Sequence, residues 1–426
     1  MSASPHAPLL SWLDTHRAQA VQFLQDFARI DTSNPPGDTR AGAAFIRRAL
    51  EAAGISVKTV APQADKPNLI ATIEGSARGP HLVLNGHIDV FPVGDRALWR
   101  REPFSGDLVD GMIHGRGTVD MKCGTAVAVL TFLCLAQLRE HWRGRLTLTA
   151  VSDEETGGRW GTQYLLEHMA DEVLGDCVLN GEPSSLQTVR YGEKAILGVT
   201  FTVKTPGAHG AYTHMSKSAT KIAARLIQDL DRLEQPTPHI PTRLRETLNR
   251  PEVRAAMEAG LGRGAAEVAQ RLTVNIGVIQ GGVKVNMLPG ECRIEADLRL
   301  PPGITKDDVL CEIDTILQGY PEVALTLGEA VTEQATWSDP DGVMLKLIQK
   351  HATDVVGITP APVMTLGATD CRFWRARGVP AYVYGCSPVG MGVPNEAVKV
   401  DEYLAVLKVH ALSALDYLSR PDLETT

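Results

Sequence analysis

What stands at the end of each apolar run constrains this chain more than any other feature. The runs at 82–84, 145–151 and 177–180 read as buried strands. Each is followed within a few residues by imidazole or carboxylate: His87 and Asp89 in NGHID, Glu154 and Glu155 in SDEETGG, Glu182 in NGEP. A further acid, Asp120, lies in the glycine-rich segment GRGTVDMK, which opens an apolar stretch of helical length at 124–138. Strands alternating with helices favour a mostly parallel, helix-covered sheet, and open sheets of that kind build sites at the carboxyl ends of their strands. The four segments therefore converge on one end of one sheet.

Apolar residues at helical spacing predict helices over 12–30 and 41–53, the second closed by Gly54. Strands are predicted at 56–60, 68–73, 81–85, 145–151 and 177–180, with a further helix at 162–168. After Glu182 the order changes to strand 197–204, helix 216–234, strands 272–280 and 291–300, helix 306–317 and strand 322–327. That is the βαββαβ order of ferredoxin-like domains. A helix at 341–356, a strand at 381–384 and a helix at 400–418 then resume the first pattern. The expectation is an α/β chain in which a discontinuous catalytic, metal-binding domain (1–192 and 333–426) is interrupted by a ferredoxin-like lid or dimerisation domain (193–332).

At 426 residues the chain is too long for one ordinary core. A net charge of -8, with no run of Lys or Arg, argues against nucleic acid as a partner. Residues 1–17 lack the basic start and apolar stretch of a secretory signal, and the most apolar segment, 125–138, falls short of the ~20 residues a membrane span needs. Seven scattered cysteines without CxxC spacing fit reduced thiols in a cytoplasm.

Taken singly, each acidic motif has a plainer reading. His87 and Asp89 could be a polar strand end, Asp120 a helix cap, Glu154-Glu155 a solvated acidic turn and Glu182 a surface glutamate. Together they carry more. Strand residues two apart face the same side, so His87 and Asp89 lie together, and a ligating imidazole is usually oriented through its second nitrogen by a carboxylate. Two adjacent carboxylates are costly to hold at a strand end unless a cation or a proton offsets one of them.

The motifs GHIDV, WxxxPFSGDLVDGMIHGRGTVDMKCG, SDEETGG, GEP, GAHGAYTH, GGVKVNMLP, EADLRLPPG, TLGATDCRFW and GVPNE follow one another in an order that resembles the M20 family of zinc-dependent amidohydrolases and exopeptidases. The resemblance covers nearly the whole chain. It implies that His87, Asp120 and Glu182 hold one divalent metal, and that Asp120 bridges to a second held by Glu155 and a C-terminal histidine. Asp89 would orient His87, and Glu154 would act as the general base that relays a proton from water to the leaving nitrogen. In the lid, His209 would reach across a dimer to the oxyanion, while Asn286 and Arg299 would grip the substrate carboxylate. Gly367 would bring its backbone close to substrate. The plainer readings are an Arg299–Asp297 pair, a surface or packing role for His214, and core positions for Met287 and Leu288. The resemblance also implies a cis peptide between Asp120 and Met121, and a homodimer or higher homo-oligomer through the lid. One imidazole with two carboxylates suits Zn, Mn or Co and does not choose among them.

One departure stands out. The family's last ligand is a histidine four residues before a glutamate, and here that register falls on Gly392 in Gly392-Val393-Pro394-Asn395-Glu396. His410 belongs to the predicted final helix, Cys386 is out of register, and Met391 is a weak donor. The expectation is one tightly bound ion on His87, Asp120, Glu182 and water, with the second site absent or labile. The expected reaction is metal-dependent hydrolysis of a C–N bond, an amide, in a small carboxylate-bearing substrate such as an N-acyl amino acid or a dipeptide. A second reading uses the room left at Gly392 for single-metal removal of an amino group from an activated aromatic acid of the nitroanthranilate type. A third is a non-catalytic binding protein, which would have no need to keep both the base and the ligands.

Overall fold

The computed structural model describes residues 6–420. Its frame is a nine-stranded sheet. From one edge the strands are Lys58–Val60, Asn68–Glu74, Arg145–Val151, His81–His87, Cys177–Asn180, Ala381–Val383, Thr188–Glu193 and Thr336–Trp337, with Ala361–Thr365 also paired to Thr188–Glu193. The four strands from Arg145–Val151 to Ala381–Val383 run parallel, and antiparallel pairs flank them. Leu82, Val83 and Leu84 are all fully buried, as a strand covered on both faces requires.

One face carries the helices Arg17–Ala28, Cys123–Gln137 and Val400–Leu418. The other carries Tyr164–His168 and Cys371–Arg375, which bring Leu165, Cys371 and Trp374 against Val83, Val178 and Val383. Helix Cys123–Gln137 is apolar all round and correspondingly buried. By length and composition the stretch Thr118–Gln137 could cross a membrane, but 83% of its most apolar window lies inside the protein, so it is a core helix. The apolar run predicted as one helix over 12–30 is two, Ala7–Thr15 and Arg17–Ala28. They break at His16, whose ring stacks on Trp12 and whose Nδ1 lies 2.8 Å from the Trp12 carbonyl.

The small sheet has the antiparallel order Thr273–Gly281, Glu291–Leu300, Ala195–Lys204, Val323–Val331, with helices Ala219–Leu230 and Lys306–Leu317 packed on it. This is the ferredoxin-like arrangement. The stretch 193–332 does not pack as a single unit, however. Its middle forms helices Thr242–Leu248, Pro251–Leu261 and Ala265–Val268, which place Leu244, Leu248, Val253 and Met257 in the larger core, against Thr188–Glu193 and Ala361–Thr365. The small sheet's core is already filled by its own two helices, so this apolar stripe finds cover on the large sheet. Lys194 ties the junction by donating to the carbonyls of Val268 (3.1 Å) and Arg271 (2.8 Å) and to the Thr273 hydroxyl (3.2 Å).

Two glycines bring the core helix close to the sheet. A Cβ on Gly124 would stand 2.1 Å from the Gly181 carbonyl oxygen. Overpacking of this kind costs about 1–3 kcal/mol, and here the displaced backbone leads directly into Glu182. Gly124→Ala is expected to lower thermal stability and to weaken metal binding together. Thermal unfolding and calorimetric metal titration of the variant check both.

Candidate metal centre

His87 is the last residue of its strand, and Glu182 follows Cys177–Asn180 by two residues. Because those strands are parallel neighbours, both side chains emerge at the same end. A buried pair of asparagines supports the strand ends: Asn180 donates to Asn85 (2.8 Å), and its own Oδ1 accepts from the Glu182 amide (2.7 Å). His87 Nε2 lies 3.2 Å from Asp120 Oδ1 and 3.4 Å from Glu182 Oε1. Ligand atoms placed tetrahedrally around one ion at ordinary Zn–N and Zn–O bond lengths are about 3.4 Å apart. The three residues present that spacing, with every ligand atom within 4.8 Å of the others.

The imidazole is oriented through Nδ1, 2.8 Å from the backbone carbonyl of Asp89; the Asp89 carboxylate stands farther off, at 3.6 Å. That hydrogen bond puts the proton on Nδ1 and leaves Nε2 as the donor atom for a metal. The Asp89 carboxylate has another task. It accepts from Asn34 (2.8 Å) and from the amides of Glu154 (3.3 Å) and Glu155 (3.1 Å). Glu154 and Glu155 lie on a tight turn, Glu154–Thr156, entered through Asp153 at φ 79°. Asp89 thus fixes the turn that carries both acids.

Asp120 sits in an irregular loop. Gly117 has φ 80°, the peptide Asp120-Met121 is cis, and the helix starts beyond it. The loop is braced from the far end of the chain. Glu396 accepts from the amides of Val119 (2.8 Å) and Asp120 (3.2 Å), and its other oxygen takes Arg116 at 2.6 Å, all of it buried.

Burial pushes the Glu182 carboxyl up to about 7, with the Asp120 charge adding to it. Burial likewise holds Glu154 and Glu155 well above the usual carboxylate range. For His87, burial opposes the charge, but Glu182, Asp120 and Asp89 outweigh it and hold its pKa well above the ordinary imidazole value. Glu155 Oε1 is sealed from solvent without a hydrogen-bond partner. So many buried acids around one imidazole are short of positive charge, and a divalent cation would supply it. The residues fit a metal.

Other sequence-predicted residues lie elsewhere. His209 and Asn286 are exposed neighbours on the lid, joined by a Gly210 amide donating to the Asn286 carbonyl (2.8 Å). Arg299 is closed onto Asp297 through two contacts of 3.0 Å. None of the three hydrogen-bonds a residue of the metal centre among the described residues. Gly367 is exposed, with open space where a Cβ would stand. Gly392 has φ 73°, a conformation L side chains rarely adopt, and its carbonyl accepts from Arg116 (3.1 Å). His410 is buried, its Nε2 2.6 Å from the Tyr384 carbonyl, with its pKa lowered to about 4 by burial. Cys386 is buried against Cys123. A second cluster, His6, His351 and Asp416, has one carboxylate joining two imidazoles at 2.6 and 2.8 Å, hydrogen-bond lengths that tether the N-terminal helix.

Three residues of the site were not singled out by motif. Arg372 reaches Glu154 at 3.4 Å while donating to the carbonyls of Thr369 (2.6 Å) and Gly157 (2.9 Å). Asp370 is buried nearby, pushed up to about 6 by that burial. Arg190 is buried in the strand Thr188–Glu193. The first two sit in TLGATDCRFW, where an acid and a base after a glycine loop were the available signal. Arg190 carried none, because an arginine inside TVRYGE looks like a surface residue.

An imidazole and two carboxylates at metal-ligand spacing, beside a partly buried and oriented glutamate pair, define a metal-dependent hydrolase. The class narrows on comparison: the profile of peptidase family M20/M25/M40 matches residues 83–416, and the chain belongs to that family, whose members act on C–N bonds. The succinyl-diaminopimelate desuccinylase of Parvibaculum lavamentivorans is 29% identical over 364 residues, 82% of this chain and 81% of that one. The enzyme of the same name from Cereibacter sphaeroides is 27% identical over 407 residues, 93% of this chain and 96% of that one. Among solved structures, the M20 metallo-carboxypeptidase Sso-CP2 of Sulfolobus solfataricus superposes with a TM-score of 0.81 at 18% identity, covering 94% of this chain and 99% of that one. The di-peptidase Dug1p of Saccharomyces cerevisiae gives 0.75 at 16%, covering 98% and 100%. At those identities the structures speak to the fold.

Proposed function

We propose that this enzyme hydrolyses the amide bond of a small substrate bearing a free carboxylate, such as an N-acyl amino acid or a dipeptide. One tightly bound divalent ion would sit on His87, Asp120 and Glu182, with Glu154 as general base. The observation that carries this reading is the placement of Glu154 beside the ligand triad, its turn fixed by Asp89 and its carboxylate met by Arg372. A divalent ion there supplies Lewis-acid activation of the scissile carbonyl and of water. Glu154 takes the proton from the attacking water and returns it to the leaving nitrogen, and Asp89 keeps its amide in place throughout. The desuccinylase relatives support an N-acylated amino acid as substrate class.

For the metal count the support is Gly392. Without a side chain it cannot ligate, and at φ 73° a histidine would be strained by about 1–2 kcal/mol. Metal analysis of desalted enzyme is expected to find one Zn, Mn or Co per chain, and Gly392→His is expected to leave that number unchanged while lowering stability. Two tightly held ions in the unmodified chain would sink this count. Assay of N-acyl amino acids, dipeptides and aminobenzoates with each metal tests the substrate class, and turnover of aminobenzoates alone would overturn the amide reading. The aromatic aminohydrolase reading draws on one feature: Phe91 lies beside Gly392, and exposed Val389, Met391 and Val393 continue an apolar rim there.

We also infer a homodimer through the lid. Its edge strand Thr273–Gly281 exposes Val278 and Ile279, and the following loop exposes Val283, Val285 and Met287. In that assembly His209 and Asn286 would be supplied to the centre of the opposite subunit. Sedimentation velocity checks the dimer. Seven free cysteines, all but Cys311 buried, support a cytoplasmic location.

A further inference from the structure

Among the described residues, Arg190 is a buried arginine near the metal centre whose guanidinium has no contacting partner. It lies on Thr188–Glu193, every residue of which is buried. It opposes Val383 on one side and Val363 on the other, and Val383 pairs in turn with Asn180, two residues before Glu182. The register therefore sets Arg190 level with the strand ends from which the metal ligands project. Only 7% of it is exposed. Among the described residues its side chain makes no hydrogen bond and no ion pair, and its Nε is sealed without a partner.

The other buried arginines are engaged. Arg116 holds Glu396, Arg372 holds two carbonyls, and Arg375 holds the Ala381 carbonyl and Glu193. Burial disfavours the Arg190 charge and lowers its pKa, and Glu182, Asp120 and Glu193 offset only part of that at longer range, without ion-pair contact. Glu193 is itself taken by Arg375 and by the Thr369 hydroxyl at 2.9 Å. A cation out of water with no contacting partner is costly to keep, so its position is explained when an anion arrives to meet it. Arg299 on the lid is the alternative carboxylate clamp, but its guanidinium is closed onto Asp297.

We propose that Arg190 is the carboxylate receptor of this site: its planar fork takes the free carboxylate of the substrate from within the catalytic domain, and so sets the scissile amide against His87, Asp120 and Glu182. The inference rests on the carboxylate-bearing amide read above. A charge-assisted fork–fork pair is worth about 10–150-fold in binding.

The test compares an N-acyl amino acid with its uncharged α-carboxamide. The metal-loaded enzyme is expected to favour the acid by about 100-fold in kcat/KM, and in Arg190→Met that ratio is expected to collapse towards one. Arg190→Lys keeps the charge but loses the fork, and a drop of about 10-fold in the ratio is expected. An unchanged ratio in either variant overturns the proposal. So does loss of bound metal with acid and carboxamide falling together, because Arg190 would then serve the ligand carboxylates alone. If Arg190→Met fails to fold, the Arg190→Lys ratio decides. Calorimetric titration with succinate separates this inference from the reaction it rests on. Succinate is expected to bind the unmodified holoenzyme and to bind Arg190→Lys at least about 10-fold more weakly. If that holds while no amide is turned over, the substrate reading fails and the receptor stands.

Discussion

Glu154→Gln is expected to lower kcat by about 10²–10⁴-fold while one divalent ion per chain stays bound. Gln is nearly isosteric, and the anchor of the turn is the Glu154 backbone amide on Asp89, so the substitution leaves the loop's support in place. What it removes is the carboxylate proposed to take the proton from water beside the triad. The ligands His87, Asp120 and Glu182 are untouched, so metal content measured on the same preparation should match the parent. Activity retained in the variant would take Glu154 out of its role, and loss of metal alongside activity would make it a ligand instead.

Glu396→Ala is expected to cost about 3–5 kcal/mol of stability and to abolish tight metal binding. The variant strands the Arg116 guanidinium in the interior and orphans two amides, those of Val119 and Asp120. Replacing both partners, Arg116→Met with Glu396→Met, should recover part of the stability because no unpaired charge then remains buried. It should not recover the metal, since the two amides still lack an acceptor and the Asp120 loop is still unbraced. Chemical denaturation separates the two stabilities, and metal titration shows whether the site has survived. A double variant that binds metal tightly would mean that Asp120 needs no such brace.

How far these features could be read from the letters follows from how local each signal is. Helix Cys123–Gln137 and strands such as Arg145–Val151 announce themselves through continuous apolar runs, and the ligand motifs stand at their ends. The lid's βαββαβ order was equally legible because its central strands Ala195–Lys204 and Glu291–Leu300 alternate. Helices Thr242–Leu248 and Pro251–Leu261 escaped notice because they are short, rich in Arg and Glu, and gain their apolar partners only from the distant large sheet. The hairpin Asp107–Val109 with Met112–His114 is three residues a side and half-exposed, too short to show a period. At the site, residue types marked His87, Asp120, Glu154 and Glu182, whereas supporting geometry stayed hidden. Nothing in NGHID says that the carbonyl of Asp89, more than its carboxylate, holds the imidazole. In GVPNE attention falls on the absent histidine, and the glutamate's hold on Asp120 becomes visible only once the chain is folded.

That hold also sets an order of events. Glu396 grips a loop 276 residues earlier in the chain, and the last long helix, Val400–Leu418, packs on the helix that the same loop begins. During synthesis His87, Asp120 and Glu182 all leave the ribosome well before the residue that braces them. Until Glu396 emerges, the growing chain carries its acids without the brace that holds the Asp120 loop. Tight metal capture is therefore expected to wait for Glu396 to dock on the Asp120 loop.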